Sequence, residues 1–489
     1  MFHVTAHQQL TFMKKLLVVL TLVLTLTPSR AQVQTFSAPG VDTVLTGQWT
    51  ATVMGSLGQF IRVVLDVTRY TDGPCDAYFS IPLRGRIQNR FSSVSCDGAT
   101  FMAASDTLGF RFEGTIRDES VLEGTWTDNR TSAWVQFRKL RPVQRTQEPG
   151  PNPGYAIHHF DVVNRDGGAR FGATLTAPDT TGRWPLIVFI SDRGRHDRNA
   201  SEESGHKPFL VLAHMVTTQG FATVRFDDRH LNLTDDAQEP TTTDVADDVL
   251  HVIKRLTRFP WVDTSNIILI GHGEGGIAAS LVGTLRPDVR GIVCAATPAA
   301  DGEDVLLSQI RAFDKLMRIH DSTTTFTQSI VRAWLDIIES DPDDAGVTIR
   351  IGAYMDSVMQ KASPAELNNP VITPFRRTSW PTYVRSVLIP WLRSYDNLEP
   401  EDLLKICRIP TLALLAAQDR FVPCEINETA WKTIAESRSN VTVITIPNVD
   451  HRFRPCTTCL PEETEMAAET VAPTAIDSLL LWIRQRTAN

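Results

Sequence analysis

The chain has 489 residues, which suggests two or three domains. Its composition, 42% hydrophobic and 21% charged, supplies ample packed core and argues against a disordered or fibrous protein. A net charge of −8, with no Lys/Arg-rich block, argues against nucleic acid as a partner.

The N-terminus has the pattern of an export signal. Lys14 and Lys15 precede an apolar stretch from Leu16 to Leu26, and "TPSRAQ" then offers Ser29 and Ala31 at the −3 and −1 positions of a cleavage site. About eleven strongly apolar residues are too few to span a bilayer comfortably. The expectation is a signal peptide over residues 1–31, an exported protein (periplasmic or extracellular), and no membrane span in the mature chain.

Residues 43–142 read as an all-β domain, a meander or small barrel. Runs such as "FIRVVLDVTRY" and "AWVQFRKL" are separated by turn signals such as "TDGP" and "CDGA". Two similar phrases, "LTGQWTATV" and "LEGTWTDNR", place Trp49 and Trp126 just after Gly47 and Gly124. These tryptophans are either core residues or the walls of a ligand-binding cup for a polymer or lipid. The Pro/Gly-rich "QEPGPNPGY" then marks a linker over 143–155.

From 156 to 489 the pattern becomes α/β. A hairpin around Asp166, Gly167 and Gly168 is followed by apolar runs at 185–191, 222–228, 266–272, 290–298, 409–419 and 441–447, separated by helical segments. Runs so uniformly apolar fit strands covered on both faces, so the prediction is a doubly wound, mostly parallel sheet. A helical stretch at about 300–400 breaks the rhythm and reads as a cap inserted over the mouth of the sheet.

Ligands of such sheets bind beyond the carboxyl ends of the strands. After "NIILI" comes Gly271-His272-Gly273-Glu274-Gly275-Gly276. Gly271 and Gly275 stand where the G-x-S-x-G nucleophile elbow requires glycine, and Gly273 stands at the tip, where that motif carries serine. After the 409–419 run comes Asp419, and after the 441–447 run come Asp450 and His451. Tip, acid and histidine follow one another in hydrolase-triad order, and a carboxylate holding one imidazole nitrogen frees the other to act as a base. Asp450 adjoins His451 too closely to reach round its ring, so Asp419 is the candidate acid.

These residues carry a resemblance. Residues 156–489 are similar to the α/β-hydrolase superfamily, in particular exported bacterial esterase-like hydrolases with a leading β domain. The phrases are "DRN" (197–199), "HKPFLVLAHMVTTQGFATVRFDDR" (206–229), "GHGEGG" (271–276), "PWLRSYD" (390–396), "LAAQDRFVP" and "VDHRFRP" (449–455). The resemblance implies an acyl-ester hydrolase with Asp419 and His451 as its dyad, oxyanion-hole N–H groups at Glu274 and Arg193, a small ester or acyl ligand, and no cofactor or metal. Oligomeric state is left open.

Three loops depart from the family's pattern. The elbow serine is replaced by Gly273. The small-residue oxyanion turn is Ser191-Asp192-Arg193-Gly194, and a turn that carries two glycines in relatives is Asp227-Asp228-Arg229-His230-Leu231-Asn232. Together these changes imply a catalytically impaired or non-catalytic relative. The alternative is an active hydrolase in which His451 and Asp419 activate water or another nucleophile, with Ser191 and Ser280 as weak candidates. Of the seven cysteines, Cys75 and Cys96 are candidates to pair, and Cys424 is expected to bond Cys456 or Cys459. A structural zinc site there would lack its fourth ligand once His451 is assigned to the dyad.

Overall fold

The computed structural model describes residues 44–487, except 55–59, 71–74, 82–85, 98, 128–131, 142, 166–167, 203, 230, 232–239, 317, 365, 370 and 397–399. Residues 1–31, where a signal peptide is expected, the hairpin tip at Asp166 and Gly167, and His230 and Asn232 lie outside the described residues.

Period-two alternation builds the first unit. Nine strands, β1 (Gly47–Met54), β2 (Phe60–Arg69), β3 (Cys75–Ile81), β4 (Arg86–Arg90), β5 (Ser93–Asp97), β6 (Thr100–Ser105), β7 (Phe110–Ile116), β8 (Val121–Thr127) and β9 (Ser132–Lys139), form one antiparallel sheet. Its order is β4-β3-β2-β1-β9-β8-β7-β6-β5, so the edge strands are consecutive in the chain. A Cys75–Cys96 disulfide ties β3 to β5, and the sheet wraps round its own core. That core contains both sequence-flagged tryptophans: Trp49 is fully buried and donates from Nε1 to the Leu45 carbonyl at 2.9 Å, and Trp126 packs among Phe79, Phe110 and Phe137. The two rings are core residues rather than the walls of a cup.

The Pro/Gly-rich stretch is fastened to the unit that follows. The Arg145 guanidinium donates to the carbonyls of Ser204, Glu465 and Ala467, and the Gln147 amide accepts from the Thr470 and Val471 N–H groups and donates to the Val471 carbonyl.

The second unit is a mixed sheet of eight strands: β10 (Ala156–Asn164), β11 (Ala169–Ala177), β12 (Trp184–Ile190), β13 (Ala222–Phe226), β14 (Val262–His272), β15 (Gly291–Ala295), β16 (Thr411–Ala416) and β17 (Val441–Ile446). The order is β10-β11-β13-β12-β14-β15-β16-β17, antiparallel through β13 and parallel from there on. Each apolar run of the sequence falls on a strand. Alternate residues of the central strands enter opposite cores. Leu186, Val188, Ile267 and Leu269 pack beneath helices α2 (Thr242–Leu256) and α3 (Glu274–Leu285), with Trp431 from a later helix. Ile187, Phe189, Ile268 and Ile270 face α1 (Pro208–Thr217) and the C-terminal helix Pro473–Thr487. This two-sided burial is why these strands lack polar alternation. Each fully buried Ile, Leu or Phe stabilises by roughly 1.5–3 kcal/mol relative to exposure.

The region between β15 and β16 is helical, as its pattern predicts. Gly302–Leu316, Asp321–Glu339 and Asp344–Lys361 pack round Trp334, Ile351 and Met355 in a core of their own. This helical unit reaches the strand ends through Phe313, which packs edge-on against Phe421 at 5.2 Å; Phe421 in turn lies against His451.

Candidate active site

The elbow is formed by close backbone approach. A Cβ on Gly271 would strike the backbone of Gly275, and one on Gly275 would strike the carbonyls of Ile190 and Ser191. Small residues along α3 let it press onto the strands, and Gly273 makes the turn at φ +53° and ψ −127°, a conformation that suits glycine. Its N–H donates to the Ala295 carbonyl at 2.9 Å.

Asp419 and His451 meet as the chain order predicts. His451 Nδ1 lies 2.7 Å from Asp419 Oδ2, and both residues are buried. The other oxygen, Asp419 Oδ1, accepts from the N–H groups of Phe421 and Val422, at 2.9 and 2.8 Å. These bonds fix the carboxylate, and the carboxylate fixes the imidazole with Nε2 pointing at the elbow.

The space over the elbow is filled by the chain itself. The Asp192 side chain rises from the turn after β12, and Oδ2 lies 3.1 Å from His451 Nε2. Its Oδ1 accepts from Glu274 N–H at 2.9 Å and from Arg193 N–H at 2.7 Å. The two N–H groups singled out as an oxyanion hole therefore do converge, and the oxygen they hold belongs to Asp192. The Arg193 and Glu274 side chains pair with each other at 3.5 Å.

Sequence reasoning missed His272. It stacks at a tilt on His451, ring centroids 4.6 Å apart, and its Nε2 donates to the His451 carbonyl at 2.9 Å. With that nitrogen carrying the proton, Nδ1 presents a lone pair toward Asp192 Oδ2, 4.0 Å away. The available signal was its position beside the elbow tip, yet a histidine there also reads as an ordinary elbow residue.

Charges follow from this packing. Burial opposes a charged His451, but the carboxylates of Asp419 and Asp192 together outweigh it and push the imidazole up to about 10. Burial also opposes charge on Asp192; His451, His272 and the Glu274 N–H nevertheless hold it well below the usual carboxylate range. Burial, followed by the neighbouring His451 charge, pulls His272 down to about 4. These surroundings favour the imidazolium form of His451 and the neutral form of His272, while burial raises the Asp419 carboxyl above the usual carboxylate range.

Neither candidate serine is placed to attack. Ser280 is buried and its Oγ donates to the Gly276 carbonyl at 2.9 Å, while Ser191 donates to Asp228. The third altered loop is held by structural pairs. Arg198 forks onto Asp227, Asp228 accepts from the backbone and ring of His196, and Arg229 forks onto Asp248. Asp450 pairs with Arg454, away from the imidazole. The cysteines correct one expectation: Cys456 bonds Cys459, three residues away, and Cys424 remains a thiol. Cys424 begins its own helix, and the turn at 456–459 closes within itself. Beside Asp192 and His272, a mainly apolar cavity opens between Phe209, Leu212, Ile270 and Phe453.

The alpha/beta hydrolase family model matches residues 124–468, most of the chain. The chain belongs to the alpha/beta hydrolase family. No curated protein sequence matches it. Among solved structures, one of two fungal esterases from Rhizomucor miehei is similar at 15% identity, over 70% of this chain and 85% of that one, with a TM-score of 0.40. The esterase Est1E from Butyrivibrio proteoclasticus is similar at 15% identity, over 67% of this chain and 99% of that one, at 0.36. DcsB, solved in complex with its substrate analogue, is 15% identical over 68% of this chain and 100% of that one, at 0.39. No described helix of this hydrolase-family chain is long and apolar enough to cross a membrane.

Proposed function

We propose that this protein is an exported, non-hydrolysing member of the family that keeps the architecture of an ester hydrolase and occupies the site with its own carboxylate. The observation that carries this reading is the placement of Asp192: one oxygen lies on two converging backbone N–H groups and the other on His451. A substrate carbonyl would need those same N–H groups, and a water would need a free imidazole lone pair. With His451 protonated between two carboxylates, it is a poor base near neutral pH. Loss of a serine nucleophile costs a hydrolase on the order of 10⁶ in turnover, roughly 8 kcal/mol. Export is supported by the Lys14-Lys15 pair ahead of the apolar stretch Leu16–Leu26 and by the Cys75–Cys96 disulfide. The cavity beside His272 is where a small acyl or ester ligand would sit.

The test is an assay of the EDTA-treated full chain on short- and medium-chain acyl esters. No turnover above buffer is expected. Turnover that disappears in His451→Ala contradicts the reading.

The same geometry favours one second reading, an active hydrolase with Asp192 as its nucleophile. Its carboxylate would attack an ester carbonyl and expel the alcohol. His451, having protonated that alcohol, would then activate a water to hydrolyse the resulting anhydride. Under this reading the parent turns over esters, and Asp192→Asn abolishes the turnover without unfolding the chain.

A further inference from the structure

We propose that Asp192, His272 and His451 form a two-histidine, one-carboxylate site for a divalent transition-metal ion of the zinc class, seated above Gly273. The inference rests on the reading that Asp192, rather than a substrate, fills the space over the elbow.

The argument begins with which atoms carry lone pairs. His451 Nδ1 is committed to Asp419, so Nε2 is the nitrogen that faces Asp192. His272 Nε2 is committed to the His451 carbonyl, so Nδ1 is the free one. Asp192 Oδ1 is held by Glu274 and Arg193 N–H groups, and Oδ2 faces both imidazoles. Three electron-pair donors from three strand ends thus converge. A proton shared by His451 and Asp192 relieves one of these contacts; a cation relieves all three.

Spacing and support agree with this. Oδ2 lies 3.1 Å from His451 Nε2 and 4.0 Å from His272 Nδ1, and all three atoms lie within 4.8 Å of one another. Tetrahedral bonds of about 2.0–2.1 Å place neighbouring ligand atoms ~3.3 Å apart, so one pair is at ligand spacing and the others close by a side-chain adjustment. Each ligand is already oriented from behind: His451 by Asp419, His272 by a backbone carbonyl, and Asp192 by two N–H groups. Carboxylate–histidine and carbonyl–histidine pairs of this kind are what fix metal-binding imidazoles. Two of the three ligands, Asp192 and His272, also line the adjoining cavity, together with His196. Two imidazoles with one carboxylate suit zinc, cobalt or iron(II), whereas calcium and magnesium favour all-oxygen sites. The sequence hides the cluster because its members come from three different strand ends, and His272 and Asp192 belong to no metal motif.

The experiment uses the full chain stripped with EDTA. Calorimetry follows Zn²⁺, and visible absorption follows Co²⁺. The expected result is one bound ion, a Co²⁺ spectrum of low coordination number, and no competition from Ca²⁺. Asp192→Asn and His272→Gln each weaken binding by about 100-fold or more, Asp419→Asn by ~10–100-fold through the imidazole it orients, and Cys424→Ser leaves binding unchanged. Circular dichroism confirms that each variant is folded. Failure of the folded parent to bind either ion overturns the proposal, as does His272→Gln binding as tightly as the parent. The ester assay above is a separate readout. A chain that neither turns over esters nor binds either ion loses this inference and keeps the reading it rests on.

Discussion

The Asp192 carboxylate stands directly over Gly273, so that a Cβ on residue 273 would strike its Oδ1. Glycine at the tip and aspartate in the neighbouring turn are therefore sterically coupled: the space over Gly273 is taken by a side chain from β12's end.

Gly273→Ser alone is expected to destabilise the chain. It places a side chain at φ +53°, a cost of about 1–3 kcal/mol, and it displaces the half-buried Asp192 carboxylate. Asp192→Gly in the same chain removes the collision and leaves the backbone cost. A double-mutant cycle by urea denaturation should show a favourable coupling of about 0.5–3 kcal/mol. Additive effects of the two substitutions contradict the packing described.

The imidazolium makes stability depend on pH in a definite direction. His451 has a folded pKa of about 10, above its ordinary value of about 6.5, so its contribution is fully present below pH ~6.5 and is lost as pH rises through 10. Asp192 is depressed, so its share is present above the usual carboxylate range and is lost only in acid. In EDTA-treated protein, Tm should fall between pH 7 and 10, and His451→Gln should flatten that limb. Nitrogen NMR of the ring should show both nitrogens protonated at pH 7; a neutral ring there contradicts the account.

The sequence displayed the scaffold and half of the site. Uniformly apolar strands, elbow glycines and the order of Asp419 and His451 are local or sequential signals, and they survive without coordinates. The direction of Asp192 is not such a signal. A carboxylate in the oxyanion turn reads as damage until the space above Gly273 shows where it fits. His272 is illegible for a related reason: its role follows from which nitrogen the His451 carbonyl engages. The expected Cys424 pairing needs two loops to meet, whereas Cys456 and Cys459 satisfy each other within one turn, which no sequence spacing signals.

Arg145 fastens the chain between the two sheets, and its guanidinium donates to three carbonyls. Arg145→Ala should lower stability by about 2–3 kcal/mol, since hydrogen bonds to charged groups contribute about 1.5–3 kcal/mol each and those carbonyls regain water in part. Limited proteolysis should show faster cleavage between the β unit and the hydrolase unit. An unchanged digestion rate contradicts a fastened linker.

The Cys75–Cys96 bond closes a separation of 21 residues across the curled sheet. Cys75→Ser, or reduction, should destabilise the β unit by about 3 kcal/mol. Calorimetry should place the loss in the transition that carries the tryptophan fluorescence of Trp49 and Trp126. A thermogram unchanged by reduction excludes the disulfide from the stability of that unit.

The most direct test of the central claim is ester turnover across four proteins: the parent, Gly273→Ser, Asp192→Gly and the double variant, all in EDTA. If Asp192 occupies an otherwise intact hydrolase site, the parent and both single variants are inactive. The double variant should then hydrolyse short acyl esters at least ~10²-fold faster than the parent, part of the on-the-order-of-10⁶ gap that a missing nucleophile leaves. A parent that hydrolyses esters, and loses that activity on Asp192→Gly, would contradict it.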